Sequence, residues 1–520
     1  KDLKKISNLL NAKEKRKLYT VVLVKMLSGF MDMVGVASIL PFIAVVSNQK
    51  ILDENEIILK LKNFFNFENS EMILFLAIAS LFIIILNQIV RILGGWFETY
   101  TTHDIWWSLN RQMFSYYINE SYTYHIGTNS NQLLEKLTVQ TNAAVQGAII
   151  PIFQILGYLF TCVFLFFLLI AADPKVTVVL VILVGLFYSA FYLKLKKRVM
   201  AYGKFGPEYS RKVFKLVDQA FRSIKDIKMK DNAKFYVNLY DPLARRYAMN
   251  QVKINLVSNF PRFFLEIFTY TFAFSIVIYF VKGSRDFYEI TILIGIYAFA
   301  LQKILPAIQG IYQQFTSLKF YKPSLDRIFG DLILATNKFK NNKSNNYTKQ
   351  DFLFTQKIEF KNIKYKYPNS KQEVLDIEYL KIKAGNIIGI TGKTGSGKTT
   401  FIDLMLGLLN PTSGKILINE KNLNESFGNN WRSKIGYVPQ FSFIADDTII
   451  HNVALGQTGT EINTEKIKEV CKIAKVDNFI ENELPLKYDT VVGENGVRLS
   501  GGQRQRLSIA RALYKDPDII

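Results

Sequence analysis

Residues 386–409 read NIIGITGKTGSGKTTFIDLMLGLL, which is an apolar run, a glycine-rich segment and a second apolar run in succession. Residues 392–399 match the pattern GxxxxGK followed by Ser or Thr, and the flanking runs predict a buried strand over 387–391 and a helix after the glycines. In this context backbone N–H groups converge on a phosphate, and the helix N-terminus adds partial positive charge. The stretch therefore predicts a nucleotide-phosphate site in an α/β domain.

The charged and hydroxyl side chains of this loop define the expected chemistry. Lys398 can reach the β- and γ-phosphates, and the Thr399 hydroxyl can ligate Mg²⁺. A chance glycine-rich turn is the alternative, which the flanking apolar runs disfavour. The residues assigned to the bound nucleotide are Gly392, Lys393, Thr394, Gly395, Ser396, Gly397, Lys398, Thr399 and Thr400.

A second glycine pair precedes a predicted amphipathic helix within RLSGGQRQRLSIARALYKDPDII, residues 498–520. Ser500, Gly501 and Gly502 present a hydroxyl and unobstructed N–H groups at that helix N-terminus, which predicts a second phosphate site. One γ-phosphate needs only one such phosphate site from a chain. The presence of two phosphate sites, at 392–399 and at 500–502, therefore requires a further explanation.

Composition excludes several classes of protein. The chain has 520 residues, which is too long for one hydrophobic core and predicts two or more domains. It is 49% hydrophobic and carries 65 Lys and Arg against 43 Asp and Glu. Apolar runs of about 20 residues with an excess of positive charge predict a membrane protein with basic cytoplasmic faces, rather than a nucleic-acid binder. Two distant cysteines and three scattered histidines predict neither a disulfide framework nor a histidine-ligated metal site.

Six stretches have the length and apolarity of membrane-spanning helices. They are residues 19–46, 72–94, 146–171, 175–195, 263–281 and 290–305. Residues 1–17 hold seven Lys and Arg and residues 194–253 hold sixteen, whereas the alternate loops are short or acidic. The positive-inside rule therefore predicts that both basic segments are cytoplasmic. The long cytoplasmic connections are expected to turn back near 122–131 and 229–235.

The sequence predicts three segments. An α-helical membrane domain of six transmembrane helices is expected over residues 1–330, with long cytoplasmic helices and an external amphipathic helix near 55–67. The apolar side chains of that helix share one face, which would lie in the outer interface or pack on neighbouring helices. An Asn- and Lys-rich linker is expected over 331–352, and an α/β P-loop nucleotide-binding domain over 353–520.

Six spans followed by both phosphate motifs resemble the ATP-binding-cassette (ABC) exporters. In that family the signature motif of one subunit closes on ATP held by the P-loop of its partner, which accounts for two cradles in one chain. The resemblance implies a homodimer that uses ATP and Mg²⁺, with the two connectors acting as coupling helices. It assigns Ser500, Gly501, Gly502 and Gln503 to the partner's ATP.

Three shorter motifs extend the resemblance. FKNIKYKYPNS resembles the adenine-stacking loop and implies that Tyr367 lies on the base. IGYVPQ resembles the Q-loop, which implies that Gln440 senses Mg²⁺ and the γ-phosphate and acts beside Lys398 in catalysis. TVVGENG resembles the acidic loop ahead of the signature, with Glu494 in the acidic position. Thr399 and Gln440 are the implied Mg²⁺ ligands.

The family's remaining catalytic groups are expected after the last residues of this sequence. In ABC exporters the strand that follows a segment such as KDPDII ends in the Walker B aspartate and the catalytic glutamate, and a switch histidine comes later. We therefore expect the sequence to be part of a longer, intact transporter. A degenerate protein that does not hydrolyse ATP is the alternative.

Cations within the spans point to the cargo. Arg91, Arg262 and Lys303 lie on three predicted spans, at depths of roughly 20–28 Å from the outer ends at about 1.5 Å per residue. Such residues mark substrate pathways, and Arg suits bidentate phosphate contacts. We expect a shared basic cavity that binds an anionic head such as a diphosphate, with at least two of the cations lacking an obvious partner on these three spans. Pairing of Arg262 with Glu266, or snorkelling to headgroups, is the alternative.

The membrane domain resembles the bacterial lipid-linked oligosaccharide flippases of protein N-glycosylation. The resemblance rests on the external helix, the arginine of the second span and PRFFLE in the fifth. It implies that Arg91 and Arg262 engage the pyrophosphate, while Lys303 stands where arginine is expected. The expected function is ATP-driven flipping of a lipid-diphosphate-linked oligosaccharide across the bacterial inner membrane, with the nucleotide domain in the cytoplasm. An exporter of another lipid, a drug or a peptide is the alternative.

Overall fold

The structure is a computed structural model in which the chain divides into two compact units. The first comprises Lys1–Glu120 and Thr128–Ser344, and the second comprises Ser121–Gly127 and Asn345–Ile520. The structure describes residues 10–49, 51–282, 287–341, 354, 356–368, 370, 372–423 and 428–520.

The first unit consists of long helices joined by short ones. In the part of the chain that the structure describes, the long helices are α1 (Ala12–Ser47), α4 (Asn69–Ile118), α6 (Ser130–Ala172), α7 (Pro174–Arg222), α9 (Ala233–Lys282) and α10 (Phe287–Asn341). The short helices are α2 (Ile51–Glu54), α3 (Glu56–Phe65), α5 (Tyr122–Gly127) and α8 (Ile224–Met229), of which α5 belongs to the second unit. Each predicted span falls on one of the long helices.

Hydropathy supports a membrane domain. Among the described residues, the segments long and apolar enough to cross a membrane are Ala12–Ser47, Asn69–Ile118, Ser130–Ala172 and Thr291–Asn337. Four of the predicted spans fall on these segments. The predicted spans 175–195 and 263–281 lie within α7 and α9, and α7 begins with the apolar helical segment Pro174–Phe187.

Several predicted boundaries can be compared with the helices. Short helices α5 and α8 occur close to the two predicted turning points, and Asp231 adopts a left-handed φ of 51° between α8 and α9. Helix α10 runs to Asn341 and so occupies the first part of the predicted linker 331–352. The rest of that linker lies outside the described residues.

The helix expected near 55–67 is present as α3. Asn55 caps its N-terminus by accepting hydrogen bonds from Ile57 N and Ile58 N, and Asn66 ends it in the left-handed conformation. Ile58 is buried in a cluster with Val45, Leu52 and Met72. In contrast, Ile57, Leu61, Phe64 and Phe65 are exposed. Most of the apolar face is therefore uncovered in the single chain.

The packed centre of the first unit lies between α1, α6, α7 and α10. Its buried residues are almost all aliphatic, as expected for spans that pack on one another. They include Val36, Leu165, Leu169, Leu180, Val184, Leu293, Ile296, Ala300 and Ile304. This packing holds the inward faces of α1 and α10 together, which matters for the charged residues described below.

The second unit has an antiparallel sheet and a helical part. The strands are β1 (Lys357–Tyr365), β2 (Leu375–Lys383), β3 (Ser413–Ile418) and β4 (Lys421–Asn422), in the order β2-β1-β3-β4. The helices are α11 (Lys398–Met405), α12 (Gly428–Ser433), α13 (Ile449–Val453), α14 (Thr464–Ile473), α15 (Asp477–Glu483) and α16 (Gly501–Leu513). One hydrophobic core packs the sheet against α11 and Trp431. A second packs the four helices α13, α14, α15 and α16 around Cys471.

The buried strand predicted over 387–391 is wrong in this structure. These residues form no strand, and Ile387, Ile388 and Ile390 are exposed. Among the described residues no strand runs beside them, so their N–H and C=O groups have no ladder to join. Parallel pairing does begin elsewhere, between Ile435 and Ile519, where Gly436 N donates to Ile519 O at 2.7 Å.

Candidate functional site

Backbone conformation shapes the glycine-rich loop ahead of α11. Gly392, Gly395 and Gly397 all have positive φ, and Gly397 is the left-handed residue that immediately precedes α11. A Cβ on Gly397 would lie 2.9 Å from Val374 O and from Leu375 Cδ2. A Cβ on Gly392 would lie 2.8 Å from Ser396 Oγ. Only glycine therefore fits this curve, which leaves the N-terminus of α11 accessible to an anion.

The Lys398 side chain folds back over the loop that would bind the phosphates. Its Nζ donates to Gly392 O and Lys393 O, both at 2.8 Å. Ser396 N donates to Lys393 O at 3.2 Å and closes the turn. Carbonyl groups hold the ammonium at the centre of the loop, which is where a triphosphate would meet it. The loop from Gly392 to Thr399 therefore has the shape and charge required for a nucleotide phosphate.

Tyr367 and Thr400 lie against this loop in the cassette core. The Tyr367 hydroxyl and Thr400 Oγ1 are 3.1 Å apart, and Thr400 is buried. Asp403, one turn further along α11, is also buried, and burial raises the pKa of its carboxyl. Tyr122 of α5 has its pKa raised by burial and then by nearby Asp403, Tyr437 and Tyr367. The short helix α5 is thus seated close to Tyr367 within the second unit.

The signature segment forms the N-terminus of α16. Ser500 Oγ accepts from Gln503 N at 3.3 Å, and Gln503 Oε1 accepts from Ser500 N at 2.7 Å, which is a capping box. Gly501 and Gly502 are exposed, and an added Cβ on either would have no heavy atom closer than 3.9 Å. This helix N-terminus is therefore capped and uncovered, as phosphate binding requires.

The residues expected to hold Mg²⁺ are accessible. Thr399 and Gln440 are both exposed, and Thr399 stands in the first turn of α11 beside the loop. A hydroxyl and an amide oxygen are hard oxygen donors of the kind that Mg²⁺ accepts when substrate phosphates supply further ligands. Within the described residues no group of three or more His, Cys, Asp or Glu could hold a metal. The donor set present fits a metal that arrives with a nucleotide.

In the first unit, two of the predicted cations share one carboxylate. Arg91 Nη2 lies 3.4 Å from Asp32 Oδ2, and Lys303 Nζ lies 3.6 Å from Asp32 Oδ1. Asn87 Nδ2 donates to Asp32 Oδ1 at 3.1 Å, and Thr161 Oγ1 donates to Oδ2 at 3.4 Å. The partner of both cations therefore lies on α1, outside the three spans that carry the predicted cations, and this buried aspartate neutralises part of both charges.

Arg262 lies apart from this cluster. Its Nε donates to Glu266 Oε1 at 2.9 Å on the same helix, which is the alternative pairing considered from the sequence. Arg91 and Lys303 line a cavity of about 370 Å³, whereas Arg262 lines another of about 430 Å³. Gln302 and Pro306 line both cavities. The three cations thus occupy two adjoining cavities rather than one.

Sequence reasoning missed the role of Asp32 and of its neutral neighbours. A carboxylate inside a predicted span indicates a charged or hydrogen-bonding partner on a neighbouring helix, because ionisable residues within spans are almost always paired. Lys25 lies seven residues earlier on the same helix face, yet it pairs with Glu98. Asn87, Thr161 and Gln302 carry no charge and gave no signal.

Comparisons with known proteins give one family match and several curated relatives. A family model described as ABC transporter matches residues 375–520. The chain is 42% identical over 162 residues to the ATP-dependent lipid A-core flippase of Coxiella burnetii, which covers 31% of this chain and 27% of that protein. It is 41% identical over 163 residues to the β-(1→2)glucan export ATP-binding/permease protein NdvA of Bartonella bacilliformis, covering 31% and 27%. The chain thus spans about a quarter of the length of these two curated relatives.

A solved structure extends the likeness to the membrane domain. A bacterial Atm1-family ABC exporter with ATP bound matches with a TM-score of 0.72 and 19% identity, covering 98% of this chain and 85% of that one. The fold is that of an ABC exporter, with a helical membrane domain followed by a nucleotide-binding domain. Residues 375–520 are thus similar to the ATP-binding domain of ABC transporters, and they follow a unit with several helices long and apolar enough to cross a membrane.

Proposed function

We propose that this chain is half of an ATP-driven exporter that moves an amphiphile from the inner to the outer leaflet. The observation that carries the proposal is the paired geometry of one cassette. It holds both a glycine-shaped loop centred on Lys398 and an open, capped helix N-terminus at Ser500. A single chain has no use for two phosphate cradles at one γ-phosphate, whereas two subunits in opposed orientation use both.

Each residue of the cassette then has a defined task. The loop N–H groups and Lys398 bind the phosphates and offset the negative charge that develops on the transferred group. Tyr367 lies on the adenine, and Gln440 senses the γ-phosphate. Thr399 and Gln440 would hold Mg²⁺, which neutralises phosphate charge when bound. Ser500, Gly501 and Gly502 close on the partner's nucleotide, while Gln503 fixes the Ser500 backbone through the capping box.

Dimer formation is testable by complementation. Lys398→Ala damages the loop of its own subunit, and Ser500→Arg blocks the cradle offered to the partner. We expect heterodimers of the two variants, isolated through two affinity tags, to retain ATP at one intact composite site. Either homodimer should retain close to none, because both of its sites are damaged. Occluded nucleotide is measured after rapid gel filtration, with doubly tagged wild-type dimers as control.

The outcome that contradicts a shared site is clear. If the Ser500→Arg homodimer occluded ATP at both loops, the signature segment would not serve the partner. A strictly monomeric preparation that hydrolysed ATP cooperatively would contradict the half-transporter in the same way.

For the cargo we propose a lipid-diphosphate-linked oligosaccharide. Support comes from Arg91 and Arg262, whose side chains keep 41% and 67% of their surface exposed although each has a carboxylate partner. Guanidinium groups that remain accessible can still bind phosphate in a bidentate manner. The name of one relative, an ATP-dependent lipid A-core flippase, agrees with export of a lipid. On this proposal the protein lies in a bacterial inner membrane with its cassettes in the cytoplasm.

The alternative is an exporter of another lipid, a drug or a peptide. The observation that favours it is the pairing of the predicted cations with Asp32 and Glu266, which lowers the positive charge of both cavities. The two proposals differ in one measurable respect. Transport of a neutral prenol-linked sugar at the rate of the diphosphate-linked sugar would favour the alternative.

A further inference from the structure

Asp32 occupies an unusual place among the charges of the membrane domain. Its carboxylate is reached by four side chains from three other helices, namely Asn87 and Arg91 on α4, Thr161 on α6 and Lys303 on α10. Two of these four side chains, Arg91 and Lys303, are cations that come from different helices. Asp32 therefore fixes the relative positions of α1, α4 and α10 at the cavity that we assign to the cargo head.

Exposure differs sharply between the partners. The Asp32 side chain has 0% of its surface exposed, whereas Arg91 keeps 41% and Lys303 keeps 24%. Asp32, Arg91 and Lys303 all line the 370 Å³ cavity, but the Asp32 side chain is covered whereas the two cations remain accessible. An anion in this cavity would therefore bind the cations directly, and Asp32 would act on it through them and through its charge.

The neutral donors make this carboxylate different from Glu266. Asn87 and Thr161 would continue to hold Asp32 if an anion drew Arg91 or Lys303 towards the cavity. Glu266 is half exposed and lies on the same helix as Arg262. The Asp32 carboxylate is thus held at its site by more than its ion pairs. Two cations and one carboxylate leave a single net positive charge in the cluster.

We propose that Asp32 is a positioning residue that sets the charge selectivity of the cargo-head site. It holds Arg91 and Lys303 at one cavity, and it limits their net charge so that the site distinguishes anionic heads by the number of charges they carry. This inference rests on the proposed anionic cargo. Without Asp32 the site would still contain both cations, but it would favour the more highly charged head more strongly.

The test compares binding of three probes to the full-length protein in detergent. Farnesyl diphosphate, farnesyl monophosphate and farnesol share one tail and differ in head charge, and isothermal titration calorimetry gives each Kd. Asp32→Asn keeps the side-chain shape and an acceptor for Asn87, but it raises the net charge of the cluster by one. We expect the ratio of the monophosphate Kd to the diphosphate Kd to rise about three- to tenfold, as for one extra charge roughly 6 Å away in a medium between protein and water.

Two further variants separate charge from structure. Asp32→Asn combined with Lys303→Gln restores one net positive charge, so the Kd ratio should return towards the wild-type value. This double variant also removes one unpaired cation, and it keeps the test available if Asp32→Asn alone does not fold. Asp173→Asn is the matched control, because it alters another buried aspartate of the same domain, the N-cap of α7, and should leave the ratio unchanged.

The possible failures are distinguishable. If Asp32→Asn weakened binding of the mono- and diphosphate equally, Asp32 would only support the structure and the inference would be overturned. Failure of the double variant to shift the ratio back would overturn it as well. If the wild-type protein bound farnesol as tightly as farnesyl diphosphate, the proposed anionic cargo would itself be wrong, and the inference would fall with it.

Discussion

Lys398→Ala in the full-length protein is expected to lower ATP turnover by about 100- to 1,000-fold, the loss seen when one group that stabilises developing charge is removed from a catalytic site. The Lys398 ammonium donates hydrogen bonds to Gly392 O and Lys393 O. Its side chain is not part of either hydrophobic core of the second unit. The cassette should therefore fold normally. Phosphate release by the purified protein measures the effect.

The matched control for this variant is Lys415→Ala. Lys415 is an exposed lysine on β3, in the same domain but in the sheet rather than in the loop. The control variant should hydrolyse ATP at the wild-type rate. Near-normal turnover by Lys398→Ala, with the control also normal, would show that the glycine-rich loop does not bind the transferred phosphate.

Arg91→Ala should reduce translocation of a prenyl-diphosphate-linked sugar by about tenfold or more. A charge-assisted contact to phosphate contributes about 1.5–3 kcal/mol, which corresponds to roughly 10- to 150-fold in a rate or binding constant. Lys303, Asn87 and Thr161 would remain on Asp32, so the buried carboxylate keeps three of its partners. The loss should therefore reflect the missing guanidinium rather than unfolding.

Two control variants accompany Arg91→Ala: one keeps the charge at position 91, and the other removes an arginine elsewhere in the domain. Arg91→Lys should retain more transport than Arg91→Ala, because it keeps the charge and loses only the planar fork. Arg222→Ala removes an exposed arginine of the same domain that pairs with Asp218, and it should transport normally. Arg262→Ala should behave like Arg91→Ala if both cavities contact the head. Wild-type transport by both arginine variants would remove the basis for an anionic cargo.

The backbone geometry of the cassette motifs depends mainly on nearby residues, which a sequence pattern can register. The glycines at 392, 395 and 397 need positive φ whatever surrounds them, and the capping box of Ser500 and Gln503 lies within one turn. The same reasoning found helix α3 from its apolar face, and the structure adds the capping asparagines at its two ends. The hydrogen bonds that cap the N-termini of α3 and α16 join residues fewer than five positions apart.

Features that depend on distant partners were predicted poorly. The apolar run 387–391 has strand composition, but a strand exists only where another strand pairs with it, and none does so among the described residues. Asp32 is separated by 55 residues from Asn87 and by 129 from Thr161, so no local pattern joins them. The charges of Arg91 and Lys303 were visible in the sequence, whereas their shared counterion required the packing of α1 against α4, α6 and α10.

Reconstitution of the full-length wild-type protein in proteoliposomes tests the central claim most directly. A fluorescent prenyl-diphosphate-linked sugar is placed in the leaflet that faces the cassettes, and its transfer to the other leaflet is followed by loss of access to a membrane-impermeant quencher. We predict transfer with ATP and Mg²⁺, none with a non-hydrolysable ATP analogue, and little with the same sugar on a neutral prenol. Equal transfer with and without hydrolysable ATP would contradict an ATP-driven exporter of an anionic amphiphile.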